Sequence, residues 1–126
     1  MNAKTERQIE NLKKQTIGVE IEMNHITRER AARLTADHFG TGRYEYTASR
    51  NGYSTWSAWD VQGREWKFQK DVSIAGCDAE KCELVTPILK YEDIETLQEL
   101  VRKLRKAGAI SHAGIGAGVH LSLIHI

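Results

Sequence analysis

Proline is almost missing from this chain, with Pro87 the sole example among 126 residues. No low-complexity tract is present either, which excludes a proline-rich spacer or a solvated disordered segment as the main content. No apolar run approaches the roughly 20 residues a helix needs to span a bilayer. Met1 to Gln15 is polar and lysine-rich and lacks the apolar middle of a secretory signal. Cysteine is scarce: Cys77 and Cys82 lie close together with no second pair to complete a zinc cage. They read as free thiols in a reducing cytoplasm, the expected location of the protein. Excess charge of either sign is also lacking, since 18 Lys and Arg face 17 Asp and Glu, for a net charge of +1. Such a balance gives no global reason to bind nucleic acid or an anionic membrane, and leaves open a local site of either sign.

What remains is enough for one domain with a real core. Thr5–Lys14 reads as a tail or a short amphipathic helix through Ile9 and Leu12. From Ile17 the apolar period becomes two: Ile17, Val19, Ile21 and Met23 point one way, and Gly18, Glu20, Glu22 and Asn24 the other, a half-buried strand. Thr27 is placed to cap a helix over Arg28–Phe39 that Gly40 closes. Tyr44–Lys70 reads as β structure, with Tyr53–Val61 and Glu65–Lys70 joined by a Gln62-Gly63 turn. Asp71–Lys81 reads as a loop, and Glu83–Thr86 as a short strand ended by Pro87. The clearest helix spans about Ile94–Ala107. Its stripe is Ile94, Leu97, Leu100, Val101 and Leu104, with acids at its start and bases at its end. Gly114–His120 leads into a further strand. Strands and helices without regular βαβ alternation argue for an α+β fold with a mainly antiparallel sheet.

Glu20 and Glu22 are the first chemical signal. Residues two apart on a strand share a face, about 6.6 Å apart along the backbone. Adjacent carboxylates repel unless a cation lies beside them, and Mg²⁺ takes one or two carboxylates plus substrate phosphates. A solvated edge strand is the plainer reading of the same pattern. Glu83 can supply a third acid. Asp71-Val72-Ser73 after the Trp66-Lys67-Phe68 strand reads first as a turn, and His120 in Gly-Val-His as a structural histidine. Trp56, Trp59 and Trp66 read as packing rather than a platform for bases.

Taken in order, these segments resemble the amidoligase family, related to glutamine synthetase and glutamate–cysteine ligase. The resemblance rests on Gly18-Val19-Glu20-Ile21-Glu22-Met23, then Trp66-Lys67-Phe68 with Asp71-Val72-Ser73-Ile74, then Glu83-Leu84-Val85-Thr86-Pro87-Ile88-Leu89. The helix ending Arg105-Lys106-Ala107-Gly108-Ala109 and the strand Gly118-Val119-His120 complete it. It implies a curved antiparallel sheet with helices on one face, holding ATP and Mg²⁺. It further implies a carboxylate–amine ligase that works through an acyl phosphate, with small-molecule or peptide carboxylate and amine substrates. Glu20, Glu22 and Glu83 match the expected metal positions. Asp71 and Ser73 match a catalytic motif nearer substrate or nucleotide, and His120 the first histidine of a Gly-x-His-x-His strand.

Two departures accompany the match. Position 122 is Ser122 where the family pattern places a second histidine, and the family's strand order continues beyond it. Leu121-Ser122-Leu123-Ile124-His125-Ile126 reads like a translated sequencing adapter. The expected organisation is therefore residues 1–15 as a tail, 16–120 as the N-terminal portion of a catalytic domain, and 121–126 as a non-native tail. Such a fragment is expected to show little ligase activity alone. The alternatives are a non-catalytic binding or assembly domain with the same fold and, less favoured, a carboxylate-dependent metal hydrolase.

Overall fold

A computed structural model describes residues 3–7, 16–47, 54–70, 82–110 and 119–124, the last through its backbone. Residues 3–7 are helical. The rest runs β1 (Thr16–Met23), α1 (Arg28–Phe39), β2 (Tyr44–Tyr46), β3 (Trp56–Trp59), β4 (Glu65–Gln69), β5 (Cys82–Val85), β6 (Leu89–Lys90), a 3₁₀ turn (Tyr91–Asp93), α2 (Ile94–Lys106) and β7 (Val119–Ile124). These form an α+β fold in which every described strand pair is antiparallel.

β1 is the spine of the sheet. Its period-two pattern buries Val19, Ile21 and Met23 and turns Glu20 to solvent. β5 and β6 both pair with β1, and β7 pairs with it as well; β4, β3 and β2 extend the sheet beyond β5. Asn24, just after β1, exchanges backbone hydrogen bonds with Ile110 and so ties the strand to the chain beyond α2.

Between β5 and β6 the ladder changes frame. Val85 stands opposite Glu20 and Leu89 opposite Ile17, so Gly18 and Val19 face three residues, Thr86, Pro87 and Ile88. This is a β-bulge. Thr86 makes it tolerable. Its N–H donates to the Val19 carbonyl at 3.0 Å, and its Oγ1 accepts from the buried Val19 N–H at 3.1 Å. The sequence expectation of a single strand stopped by Pro87 is thereby refined, because pairing resumes at Leu89 in the shifted frame.

α1 begins and ends on local chemistry. Thr27 Oγ1 accepts from the Arg30 N–H, and Gly40 adopts a left-handed φ of 76°. Its buried face is Ala31, Ala32, Thr35 and Ala36, small enough for the helix to lie close on the sheet. α2 buries Leu97, Leu100 and Leu104. Both helices join the sheet residues Val19, Ile21, Leu84, Trp66 and Phe68 in one core. The two helices run antiparallel: His38, near the end of α1, bonds Thr96, near the start of α2.

The β3–β4 connection differs from the expected two-residue turn, spanning Asp60–Arg64 with Gly63 at φ 78°. Asp60 causes this, because its carboxylate accepts from the backbone N–H groups of Gln62 and Arg64 and folds the loop around itself. It also accepts from Trp66 Nε1 at 3.0 Å and Arg64 Nε at 2.8 Å. The Arg64 guanidinium then grips Asp93 with two 3.0 Å hydrogen bonds. Asp93 in turn accepts from the Lys90 N–H at 2.8 Å. One arginine thus fastens the β3–β4 loop to the entry of α2.

Candidate functional site on the glutamate face

Alternation along β1 and pairing with its neighbours decide which side chains meet on the face away from the core. Glu20 and Glu22 lie two apart on β1, and Glu22 stands directly opposite Glu83 on β5. Opposed residues of an antiparallel pair share a face with Cβ atoms about 5 Å apart, so the three glutamates occupy one face of two adjacent strands. On the other flank of β1, position 120 stands opposite Glu20, which places His120 in the same rung of the sheet. Asp71, Ser73 and Cys77 lie outside the described residues.

Three neighbours were not singled out by sequence reasoning. Gln69 stands opposite Glu83, and its Nε2 donates to Glu83 Oε2 at 3.5 Å. Lys67 stands opposite Val85, itself opposite Glu20, and so brings a cation to the row of Glu20. Further along, Glu65 Oε2 accepts from Ser57 Oγ at 2.6 Å, and that hydroxyl also meets Thr47 Oγ1 at 2.8 Å. The period-two order Glu65-Trp66-Lys67-Phe68-Gln69 was the available signal. Trp66 and Phe68 are fully buried, which turns Glu65, Lys67 and Gln69 to the glutamate side.

Carboxylate oxygen is the donor type that a hard divalent ion takes, and Mg²⁺ fills the rest of its coordination with water and phosphate oxygens. Among the described residues no three His, Cys, Asp or Glu side chains form a ready-made metal cage. The glutamates thus share a face rather than enclose a point.

Shifts in acidity mark the Asp60–Arg64–Asp93 network and Cys82. Arg64 holds Asp93 below the usual carboxylate range against the opposing effect of burial. Burial pushes Asp60 up, but the Trp66 and Arg64 donors outweigh it and hold its carboxyl low. Arg64 is raised, chiefly by its bonds to Asp93. Burial pushes the Cys82 thiol up to about 12, so this free cysteine is a packing residue. The tryptophans divide: Trp66 is core, Trp56 packs at its margin, and Trp59 lies beneath the Arg43 guanidinium, 4.2 Å from the ring centroid. No helix among the described residues is long and apolar enough to cross a membrane.

An antiparallel sheet with helices on one face and paired glutamates on the other defines an α+β protein with a carboxylate-lined sheet face. Residues 13–124 match the family model described as "Putative amidoligase enzyme". The chain belongs to that family, and the match spans every described strand and both labelled helices. No curated protein and no solved structure matches it.

Proposed function

We propose that this amidoligase-family chain takes part in ATP-dependent formation of an amide bond between a carboxylate and an amine. The observation that carries this reading is the placement of Glu20, Glu22 and Glu83 on one face, with His120 opposite Glu20. In the proposed reaction, a substrate carboxylate oxygen attacks the γ-phosphorus of ATP, releasing ADP and forming an acyl phosphate. The amine nitrogen then attacks the acyl carbon, phosphate leaves, and the nitrogen gives up a proton. Glu20, Glu22 and Glu83 are the residues that would hold Mg²⁺, which supplies charge neutralisation at the phosphates. His120 belongs to the nucleotide side of this reading, and Asp71 and Ser73 to a catalytic motif nearer substrate or nucleotide. The substrates are a small-molecule or peptide carboxylate and an amine, handled in the cytoplasm.

Ser122, standing where the family pattern has a second histidine, favours a second reading, a domain that keeps the fold without the chemistry. Mg·ATP titration followed by thermal unfolding separates the two. A ligand present at 100 times its Kd stabilises by about 2.7 kcal/mol. The wild-type chain is expected to gain stability of that order, and Glu20→Gln to lose most of the gain. No gain in the wild type, or an undiminished gain in Glu20→Gln, refutes the site. Phosphate release that needs no amine would point instead to a hydrolase.

A further inference from the structure

The helix side of the molecule carries a concentration of charge opposite in sign to the glutamate face. Between the antiparallel helices α1 and α2 lies a cavity of about 480 Å³, lined by Arg30, Arg33, Lys103 and Lys106 together with Asp37 and His38. Arg30 and Arg33 are one turn apart on α1, and Lys103 and Lys106 one turn apart on α2. Each helix therefore stacks two like charges, an arrangement that destabilises unless a counter-charge is near. Asp37 is the single carboxylate in the lining. Among the described residues none of the four cations has an ion-pair partner.

Helix electrostatics explain only half of this. Lys103 and Lys106 sit at the negative C-terminal end of α2, where cations are favoured, whereas Arg30 sits in the first turn of α1, where they are not. His38 completes the lining without adding charge: its Nε2 is engaged by Thr96, and burial and the nearby Lys103 both favour its neutral form, so the four cations set the sign of the groove.

We propose that this groove binds a compact anion carrying two or three linked phosphates, on the side of the molecule away from the glutamate face. The volume falls in the range of small-ligand pockets, and guanidinium forks with ammonium point charges are the usual phosphate donors. A nucleic acid fits less well. The lining contains no Phe, Tyr or Trp for bases to stack on, and a chain of net charge +1 offers no long basic track.

The test is calorimetric titration of the purified 126-residue chain with pyrophosphate, tripolyphosphate and ADP, in a chelator that removes divalent cations. Saturable one-to-one binding is expected, weakened at least tenfold in the double variant Arg33→Glu/Lys103→Glu and unchanged in Glu20→Gln. Both reversed side chains are exposed, so the circular dichroism spectrum of the double variant should match the wild type. Tighter binding of ADP than of pyrophosphate would identify a nucleotide as the source of the phosphates, and equal binding would show that the phosphates alone are read. Absence of saturable binding, or undiminished binding in the double variant, overturns the proposal. So does equal binding of hexaglutamate, which would make the groove a general acidic-peptide surface. Because the assay excludes Mg²⁺ and uses variants on opposite faces, its failure leaves the ligase reading untouched, and the reverse also holds.

Discussion

Replacing Arg64 with methionine removes the guanidinium but keeps much of the apolar stem. Asp93, with 9% of its side chain exposed, then loses both 3.0 Å hydrogen bonds and its countercharge. Asp60, 2% exposed, loses the 2.8 Å bond from Arg64 Nε but keeps the Trp66 and backbone donors. The damage should therefore concentrate at Asp93, which retains the Lys90 N–H. Removing one partner of a buried pair costs about 3–5 kcal/mol. Arg64 is itself 22% exposed, so the low end, about 3 kcal/mol, applies. For a domain of this size that corresponds to a fall in Tm of about 10 °C.

Urea unfolding of Arg64→Met, Asp93→Asn and the double variant measures this directly. The singles should be strongly non-additive, because Asp93→Asn removes the charge that Arg64→Met strands. A loss below about 1 kcal/mol, or additive singles, would refute the reasoning by showing that these carboxylates are solvated well enough to stand alone. The same network sets an acid limb. Both aspartates are held below their ordinary range, so they bind protons less readily folded than unfolded. Their contribution is complete above the unfolded aspartate value of about 3.9 and fades as pH falls through the lower folded values. Arg64→Met should flatten that limb.

Two further outcomes follow from buried groups. Thr86→Val keeps the side-chain shape but strands the Val19 N–H, and should cost about 1–3 kcal/mol in urea, with Thr86→Ser restoring much of the loss; a neutral Thr86→Val would mean that the hydroxyl carries no such bond. In a Cys77→Ala background, Cys82 should react with a disulfide reagent at pH 8 only as fast as the protein unfolds, and rapid labelling of the native state would contradict its burial.

The elements that could be read from the sequence are those whose signals are local. β1 follows from strict alternation, and α1 from Thr27 and Gly40 at its ends; both are sharp because the deciding residues lie within a turn of the boundary. α2 follows from its leucine stripe. The Asp60–Arg64 loop was foreseen as a shorter turn, since nothing in Gln62-Gly63 reveals that an aspartate two residues earlier will gather backbone donors. Arg64 and Asp93 are 29 positions apart, and no period or motif links them. The glutamate face lies between these cases. Glu20 and Glu22 announce themselves by spacing, but their meeting with Glu83 depends on a cross-strand register that only pairing decides. Lys67 and Gln69 passed unnoticed because their strand was read for its aromatic residues rather than for its polar side.

The bulge at Thr86–Ile88 has a consequence for how this chain can change in evolution. Before it, odd-numbered residues such as Glu83 face away from the core; after it, odd-numbered Leu89 is fully buried, while Ile88 is exposed. Deleting one residue there would force a choice between turning Leu89 outward and turning Glu83 inward. A hairpin loop such as Asp60–Arg64 can change length at its tip without altering which face its strands present. Pro87 and Ile88 should vary in identity, while Thr86 is held by its bond to Val19 and the segment as a whole should resist any change in number.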